Sequence, residues 1–302
     1  MFTVPNDFAL VTRFIRKLRG GSQSFLAQAS DGLLYVVKLI DNPQGPNLLF
    51  NESAGSELYR ACGLNVPEWR PMVLSGAFLD NNPDCWINMP EGNLRPASGL
   101  CFGSRFLGQN GNRILEILSG SDLRRVRNRA DFWLAWLIDV CAAHGDPRQA
   151  IIEEDSARSL VAYFIDHGHM FGGPKGDLKK HFIASRYLDA RIYERVSSEE
   201  LLGFKKALLT LDPDKLWKRI EMIPAGWRNR SALDGFANCI QRLSKPWLVQ
   251  NVLDTIIDAQ QRGTAIKSGD LGAERNPPAA VLRSEIFGAG YDQGYAHHPA
   301  CA

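Results

Sequence analysis

Apolar and polar positions alternate in three short runs near the start of the chain, Phe8 to Leu18, Ser24 to Ala29 and Leu33 to Ile40. That period of two predicts strands. Gly20-Gly21-Ser22-Gln23 and Ser30-Asp31-Gly32 separate the runs, and glycine there supplies the positive φ of tight turns. After Gly45-Pro46 the period lengthens. Leu48, Glu52, Gly55, Tyr59 and Cys62 fall on one helical stripe, which Gly63 can terminate and Pro67 follows. Strand-like runs return at Pro71 to Leu79 and Leu100 to Leu107, on either side of a turn-rich segment.

Beyond Gly108 the rhythm becomes helical. Ser121 is positioned to cap a helix whose positions Val126, Ala130, Trp133, Leu134, Leu137, Ile138 and Cys141 keep a 3.6-residue spacing. One buried strand, Val161 to Ile165, interrupts the pattern. From Val196 to Arg262 the expectation is almost wholly helical, with a capping box at Ser197/Glu200, a cap and first-turn proline at Asp212-Pro213, and a last helix from Pro246 ending at Gly263. Residues 264–302 are rich in Gly, Ala and Pro without a period and are expected to be disordered. The pattern predicts an α+β protein of two lobes. A β-rich lobe with one helix spans 1–107, a helical lobe spans 108–263, and a cleft lies between them.

Composition narrows the class. The 302 residues are 45% apolar, enough for a substantial core, and 35 basic against 33 acidic residues leave a formal charge of +2 with no basic block. Nucleic acid is therefore not an expected partner. Six scattered cysteines, at 62, 85, 101, 141, 239 and 301, show no C-x-x-C spacing and read as reduced core thiols. No leader pattern and no uncharged apolar run of about 18 residues is present, so the expectation is a cytoplasmic protein that does not enter a membrane.

The candidate chemistry lies in charges that interrupt apolar elements. Asp146 follows an apolar helix in His144-Gly145-Asp146, and Asp166 ends the buried run Val161 to Ile165. Unpaired buried charge is disfavoured by several kcal/mol, so such carboxylates point to function. Lys38 shares a strand face with Leu34, Val36 and Ile40, and Glu52 is the one charge on the next helix's apolar stripe. An ion pair would relieve both and aim the ammonium at nucleotide phosphates; a snorkelling lysine and an exposed glutamate are the plainer alternative. Gly20, Gly21, Ser22 and Gln23 form a loop whose backbone N–H groups could cradle phosphate, or a plain hairpin. His144, Asp146, His167 and His169 lack the spacing of a transition-metal site, and Trp133 and Trp136 read as core.

Taken in order, Gly20-Gly21-Ser22-Gln23, Lys38, Asn51-Glu52, Phe102-Gly103-Ser104-Arg105, Asp146-x-Arg148-Gln149-Ala150 and Ile165-Asp166-His167-Gly168 resemble the HipA-like kinase domain family, over roughly residues 15 to 260. The resemblance implies a protein-kinase-like fold and an ATP- and Mg²⁺-dependent phosphotransferase acting on a hydroxyl, a Ser or Thr of a protein. It implies that Lys38 contacts phosphate, Glu52 holds Lys38, Asp146 orients the hydroxyl, Asp166 binds Mg²⁺, and 100–107 is a hinge beside the base. One position departs from the protein-kinase pattern. The asparagine five residues after the catalytic aspartate is Ile151, leaving Gln149 as the nearby candidate metal ligand and Arg148 as a candidate phosphate ligand. That departure keeps open a pseudokinase that binds nucleotide or protein without turnover. A metal-dependent hydrolase built on the His/Asp cluster is a third expectation. No residue pattern identifies the acceptor protein or an antitoxin partner.

Overall fold

The first five strands to pair in space come from two separate parts of the chain. In the computed structural model, residues 8–261 are described apart from 110, 116–117, 156, 178–185 and 194–195, so the expectation for 264–302 lies outside the described residues. β1 (Ala9–Lys17), β2 (Phe25–Ala29) and β3 (Leu34–Lys38) run as an antiparallel meander. β7 (Gly99–Arg105) adds to β3 and β4 (Trp69–Leu74) adds to β7. A short parallel contact of β4 with β1 closes a five-stranded barrel. Its interior takes Phe25, Ala27, Tyr35, Val37 and Met72. The face of β3 that holds Leu34, Val36 and Lys38 therefore points away from the barrel core, with Leu34 and Val36 only half-buried.

The helix expected after Gly45-Pro46 is α1 (Leu48–Ala61), ended by Gly63 at φ 85°. Its apolar side packs not into the barrel but into a second, larger cluster formed with the helices that follow. One strand expectation is corrected and another holds. The run 71–79 is strand only to Leu74, because the Ser75 hydroxyl accepts from the Phe78 N–H (3.1 Å) and starts α2 (Gly76–Asn81). The strand expected at 100–107 forms as β7 over residues 99–105, central in the barrel, and the chain leaves the barrel at Phe106. Between β4 and β7 lies a small hairpin, β5 (Ile87–Met89) and β6 (Gly92–Leu94).

The single helix expected from Ser121 is also corrected. Ser119, not Ser121, forms a capping box with Asp122 and starts α3 (Gly120–Arg125), and α4 (Asp131–Cys141) begins afresh. The break has a physical cause in the sheet of β8 (Arg113–Leu115), β9 (Gln149–Glu154) and β10 (Leu160–Ile165). The backbone groups along the outer edge of β10 need partners. Arg127 N donates to the Leu160 carbonyl, and the Asn128 carboxamide binds both the N–H and the carbonyl of Ala162. Four helices complete the larger cluster: α5 (Ser198–Leu209), α6 (Pro213–Glu221), α7 (Arg230–Leu243) and α8 (Pro246–Gln261). The Ser197/Glu200 box and the Asp212-Pro213 start form as expected. Among the described residues no helix is long and apolar enough to cross a membrane.

Candidate active site

β3 and α1 place Lys38 and Glu52 side by side. Lys38 Nζ lies 2.5 Å from Glu52 Oε1 and 2.8 Å from Asp166 Oδ1, so one ammonium is shared by two carboxylates that lie 14 and 128 residues away in sequence. Lys38 and Glu52 are 7% and 2% exposed. Burial by itself would lower the Lys38 pKa, but the Asp166 and Glu52 carboxylates overcome it and hold the ammonium above its ordinary value. Burial drives Glu52 the other way, up to about 7 against the pull of Lys38. Asp166, which burial would raise, is held well below the usual carboxylate range by Lys38.

Asp166 ends β10 in the left-handed region, φ 61°, a conformation that residues other than glycine adopt at a cost. Neighbours enforce it. The His167 N–H donates to Glu52 Oε2 (3.2 Å), and the Asn51 carboxamide donates to the carbonyls of Gly168 and Met170 (2.9 Å each). Gly168 and Gly55 are glycines for want of room. A Cβ at Gly168 would lie 2.3 Å from Leu48 Cδ1 and 2.8 Å from Glu52 Oε1, and one at Gly55 would lie 2.4 Å from His167 Cβ. Gly55→Ala, which in an open helix would gain about 1 kcal/mol, is expected here to lower the melting temperature and push the Asp166 loop off Lys38. Thermal melts with and without ligand check it; a rise in melting temperature would mean that the loop is not seated on the helix.

The Asp146 loop is tied to the same segment. Gly145 N donates to His169 O (3.0 Å) and Phe171 N to Ala142 O (2.7 Å), which couples the loops of the two aspartates through their backbones. The Asp146 carboxylate is half-buried and has no hydrogen bond or ion pair among the described residues. Gln149 opens β9 opposite Ile165, and its Nε2 donates to Asp166 Oδ2 at 2.7 Å. Only two residues separate Asp146 from β9, so the chain is already paired strand at Ile151, opposite Tyr163. Position 151, an isoleucine, offers no amide to the site, and Gln149, two residues earlier on the same strand, does.

Arg148 is not a phosphate ligand in this arrangement. It is 1% exposed and turned inward, where Nε and Nη2 grip Asp139 Oδ2 and Oδ1 (2.9 and 2.7 Å) and Nη1 donates to the Ile165 carbonyl (2.8 Å). Tyr59 of α1 donates its hydroxyl to the same Asp139 Oδ1 (2.7 Å), with the guanidinium 4.9 Å from its ring centre. Sequence reasoning missed Asp139, although it is the lone acid inside the apolar stretch of α4, the signal that singled out Glu52. Of the loop residues, Gly20 takes φ 127° and Gln23 takes φ 47°. The Gln23 side chain points outward, pairing with both the carbonyl and the N–H of Asn88 in the hairpin (2.8 and 2.7 Å), while its backbone remains with Gly21 and Ser22 in the loop.

His144 and His167 sit buried around the Asp139–Arg148 pair. Burial, then Arg148, lowers the His144 pKa to about 4, and the same causes hold His167 well below its ordinary value. Below pH 6.5 the unfolded chain protonates both histidines while the folded one does not, so stability falls as pH drops from 6.5 toward 4. Glu52 opposes this, since its raised pKa lets the folded state take a proton first. Two histidines against one glutamate leave a net loss of about 1.4 kcal/mol per pH unit. Urea unfolding at pH 7, 6 and 5 should show it, and Glu52→Gln should steepen the loss.

Does this donor set suit a divalent cation? Glu52, Asp166 and Lys38 carry a net charge of −1 with both carboxylates ionised, in a largely buried cluster, and the Gln149 amide lies on Asp166 Oδ2. Among the described residues no three His, Cys, Asp or Glu side chains gather as a metal cage, which leaves the histidine-based transition-metal expectation without a site. Oxygen ligands from one or two carboxylates, completed by water and substrate phosphate, are what Mg²⁺ takes. The residues fit it.

No family model matches the chain, and no curated protein matches its sequence. Solved structures do. A Helicobacter pylori proinflammatory kinase, CtkA, superposes with a TM-score of 0.52 at 11% identity, over 88% of this chain and 100% of its own. The Golgi casein kinase aligns at TM-scores of 0.49 (12% identity, 84% and 75% of the two chains) and, with Mn/ADP bound, 0.48 (13%, 85% and 75%). The fold is protein-kinase-like, and the HipA-like subtype is not singled out by these neighbours.

Proposed function

We propose that this protein is an ATP- and Mg²⁺-dependent phosphotransferase resembling the HipA-like kinases, which passes the γ-phosphate to a hydroxyl, a Ser or Thr of a protein. The observation that carries the reading is Lys38 held between Glu52 and Asp166 while Asp146, on a loop bonded to the Asp166 loop, keeps a free carboxylate. Phosphoryl transfer asks for charge neutralisation and alignment more than for a strong base. Lys38 meets the phosphate oxygens and Asp146 orients the acceptor hydroxyl. Asp166, with Gln149 turned to offer its carbonyl oxygen, would hold Mg²⁺, which when bound offsets the negative charge of the phosphates. The Gly108 N–H donates to Glu153 Oε1 (3.0 Å), so the segment leaving the barrel lies over β9, whose half-buried Ile151 and the neighbouring Ile165 offer an apolar bed for a flat base.

ATP with Mg²⁺ at about 100 times its dissociation constant should add roughly 2.7 kcal/mol and raise the melting temperature. Incubation with γ-labelled ATP, alone and with lysate, should transfer label in the wild type and not in Asp146→Ala. Binding without transfer would leave the pseudokinase reading, which Ile151 favours. Transfer that survives Asp146→Ala would remove Asp146 from the reaction.

A further inference from the structure

The connector from β3 to α1 does more than join Lys38 to Glu52. Asn42 reaches across to the glycine loop, donating Nδ2 to the Ser22 carbonyl (2.7 Å), and its Oδ1 accepts from the Gln44 N–H (3.1 Å). At its other end the connector is seated on the segment after Asp166: Asn47 N donates to Pro174 O (2.9 Å), and Gly45, at φ 147°, approaches so closely that a Cβ would lie 2.3 Å from that same oxygen. The Gln44 side chain is thereby suspended between the two loops. Its Nε2 lies 3.3 Å from His169 Nε2, three residues past Asp166, and 2.9 Å from where a Cβ on Gly21 would be. Among the described residues His169 is the one side chain that the half-buried carboxamide hydrogen-bonds.

We propose that Gln44 is a phosphate-contacting residue, its carboxamide donating to the terminal phosphate oxygens of a bound nucleotide from below the glycine loop. The inference rests on the phosphotransferase reading above and adds a residue to it. A phosphate chain held by both the glycine loop and the Lys38–Asp166 pair has to pass between those elements, and the carboxamide occupies that interval. An amide N–H is a neutral donor that recognises an anion without competing with Lys38 for the carboxylates. Glycine at position 21 leaves the carboxamide its room.

A charge series separates this role from a spacer. Dissociation constants for Mg·ATP and for adenosine are measured on the wild type and on Gln44→Ala, Gln44→Glu and Gln44→Lys, alongside their ligand-free melting temperatures. Gln44→Ala should weaken Mg·ATP roughly tenfold, the scale of a hydrogen bond to a charged group, and leave adenosine unchanged. Gln44→Glu should weaken Mg·ATP further and Gln44→Lys should bind it as well as wild type or better. Should Gln44→Ala melt early, the Glu/Lys pair still decides, since a spacer has no reason to discriminate charge. Equal Mg·ATP-to-adenosine ratios across the series overturn the inference while leaving the phosphotransferase reading intact. Failure of the wild type to bind Mg·ATP overturns both.

Discussion

Lys38→Met is expected to abolish the rise in melting temperature with Mg·ATP and also to lower the melting temperature of the ligand-free protein, whereas Asp166→Asn should lose the response alone. The difference lies in the charge each variant leaves behind. With Lys38 present, two carboxylates face one ammonium at 2.5 and 2.8 Å. Removing the ammonium leaves a charge of −2 in a buried place, and stripping one partner from a buried pair costs about 3 kcal/mol or more. Removing the Asp166 charge leaves Lys38 and Glu52 as a neutral pair. For a domain of this size the penalty in Lys38→Met corresponds to roughly 5–10 °C. It should shrink as pH falls, because Glu52, which burial already pushes up and which in the variant loses the opposing pull of Lys38, takes a proton and relieves the repulsion. In a turnover assay both variants should lose about 10²-fold or more, the scale of removing one preorganised charge contact. Equal ligand-free melting temperatures would show that Lys38 does not neutralise the pair. A wild-type ligand response in both would remove the nucleotide site from this position.

Asp139→Ala should be among the most destabilising single substitutions in the chain, at about 3–5 kcal/mol. It strands a guanidinium 1% exposed to solvent and removes the nearer of the two acceptors of the Tyr59 hydroxyl, leaving the Ala135 carbonyl at 3.2 Å. Arg148→Met should cost less, because methionine fills the space without leaving a buried cation, although Asp139 then keeps only Tyr59. The double variant Asp139→Leu/Arg148→Met should recover much of the loss, since replacing a buried pair by apolar groups is often neutral. Denaturant midpoints across this cycle give the coupling energy. A near-wild-type midpoint for Asp139→Ala, with lost affinity for ATP in Arg148→Met, would return Arg148 to the phosphates.

The Lys38–Glu52 pair was legible in the sequence because each charge interrupts an otherwise apolar element and burial turns an interruption into a demand for a partner; Asp166 stood out at the end of its apolar run, but its contact with Lys38 did not. Asp139 carries the same signature and went unread because its partner, Arg148, stands two residues from Asp146, where a loop cation suggests a ligand. Loop length was the other blind spot. Counting five residues from Asp146 presumes a long loop, whereas β9 starts at Gln149 and strand pairing decides which side chain faces Asp166. The broken helix at Val126–Ala130 was invisible for a related reason: the 3.6-residue spacing is intact there, but the edge of β10 takes those backbone groups for its own ladder. Local rhythm reports local preference, and the open edge of a distant strand is not local.

The seating of α1 decides what the site is built on. Leu48, Phe50, Leu58 and Tyr59 belong to the larger core, Glu57 is paired with Arg219 of α6 at 2.8 Å, and Asn51 and Asn47 are bonded to the segment that follows Asp166 and to Ser231 of α7. Tilting the helix away would tear all of these at once. Glu52 and Asp166 are therefore two posts on the same foundation, and Lys38 reaches them from the rim of a barrel with its own interior, which β4 and β7 fasten to the same helix through Trp69 and Phe102.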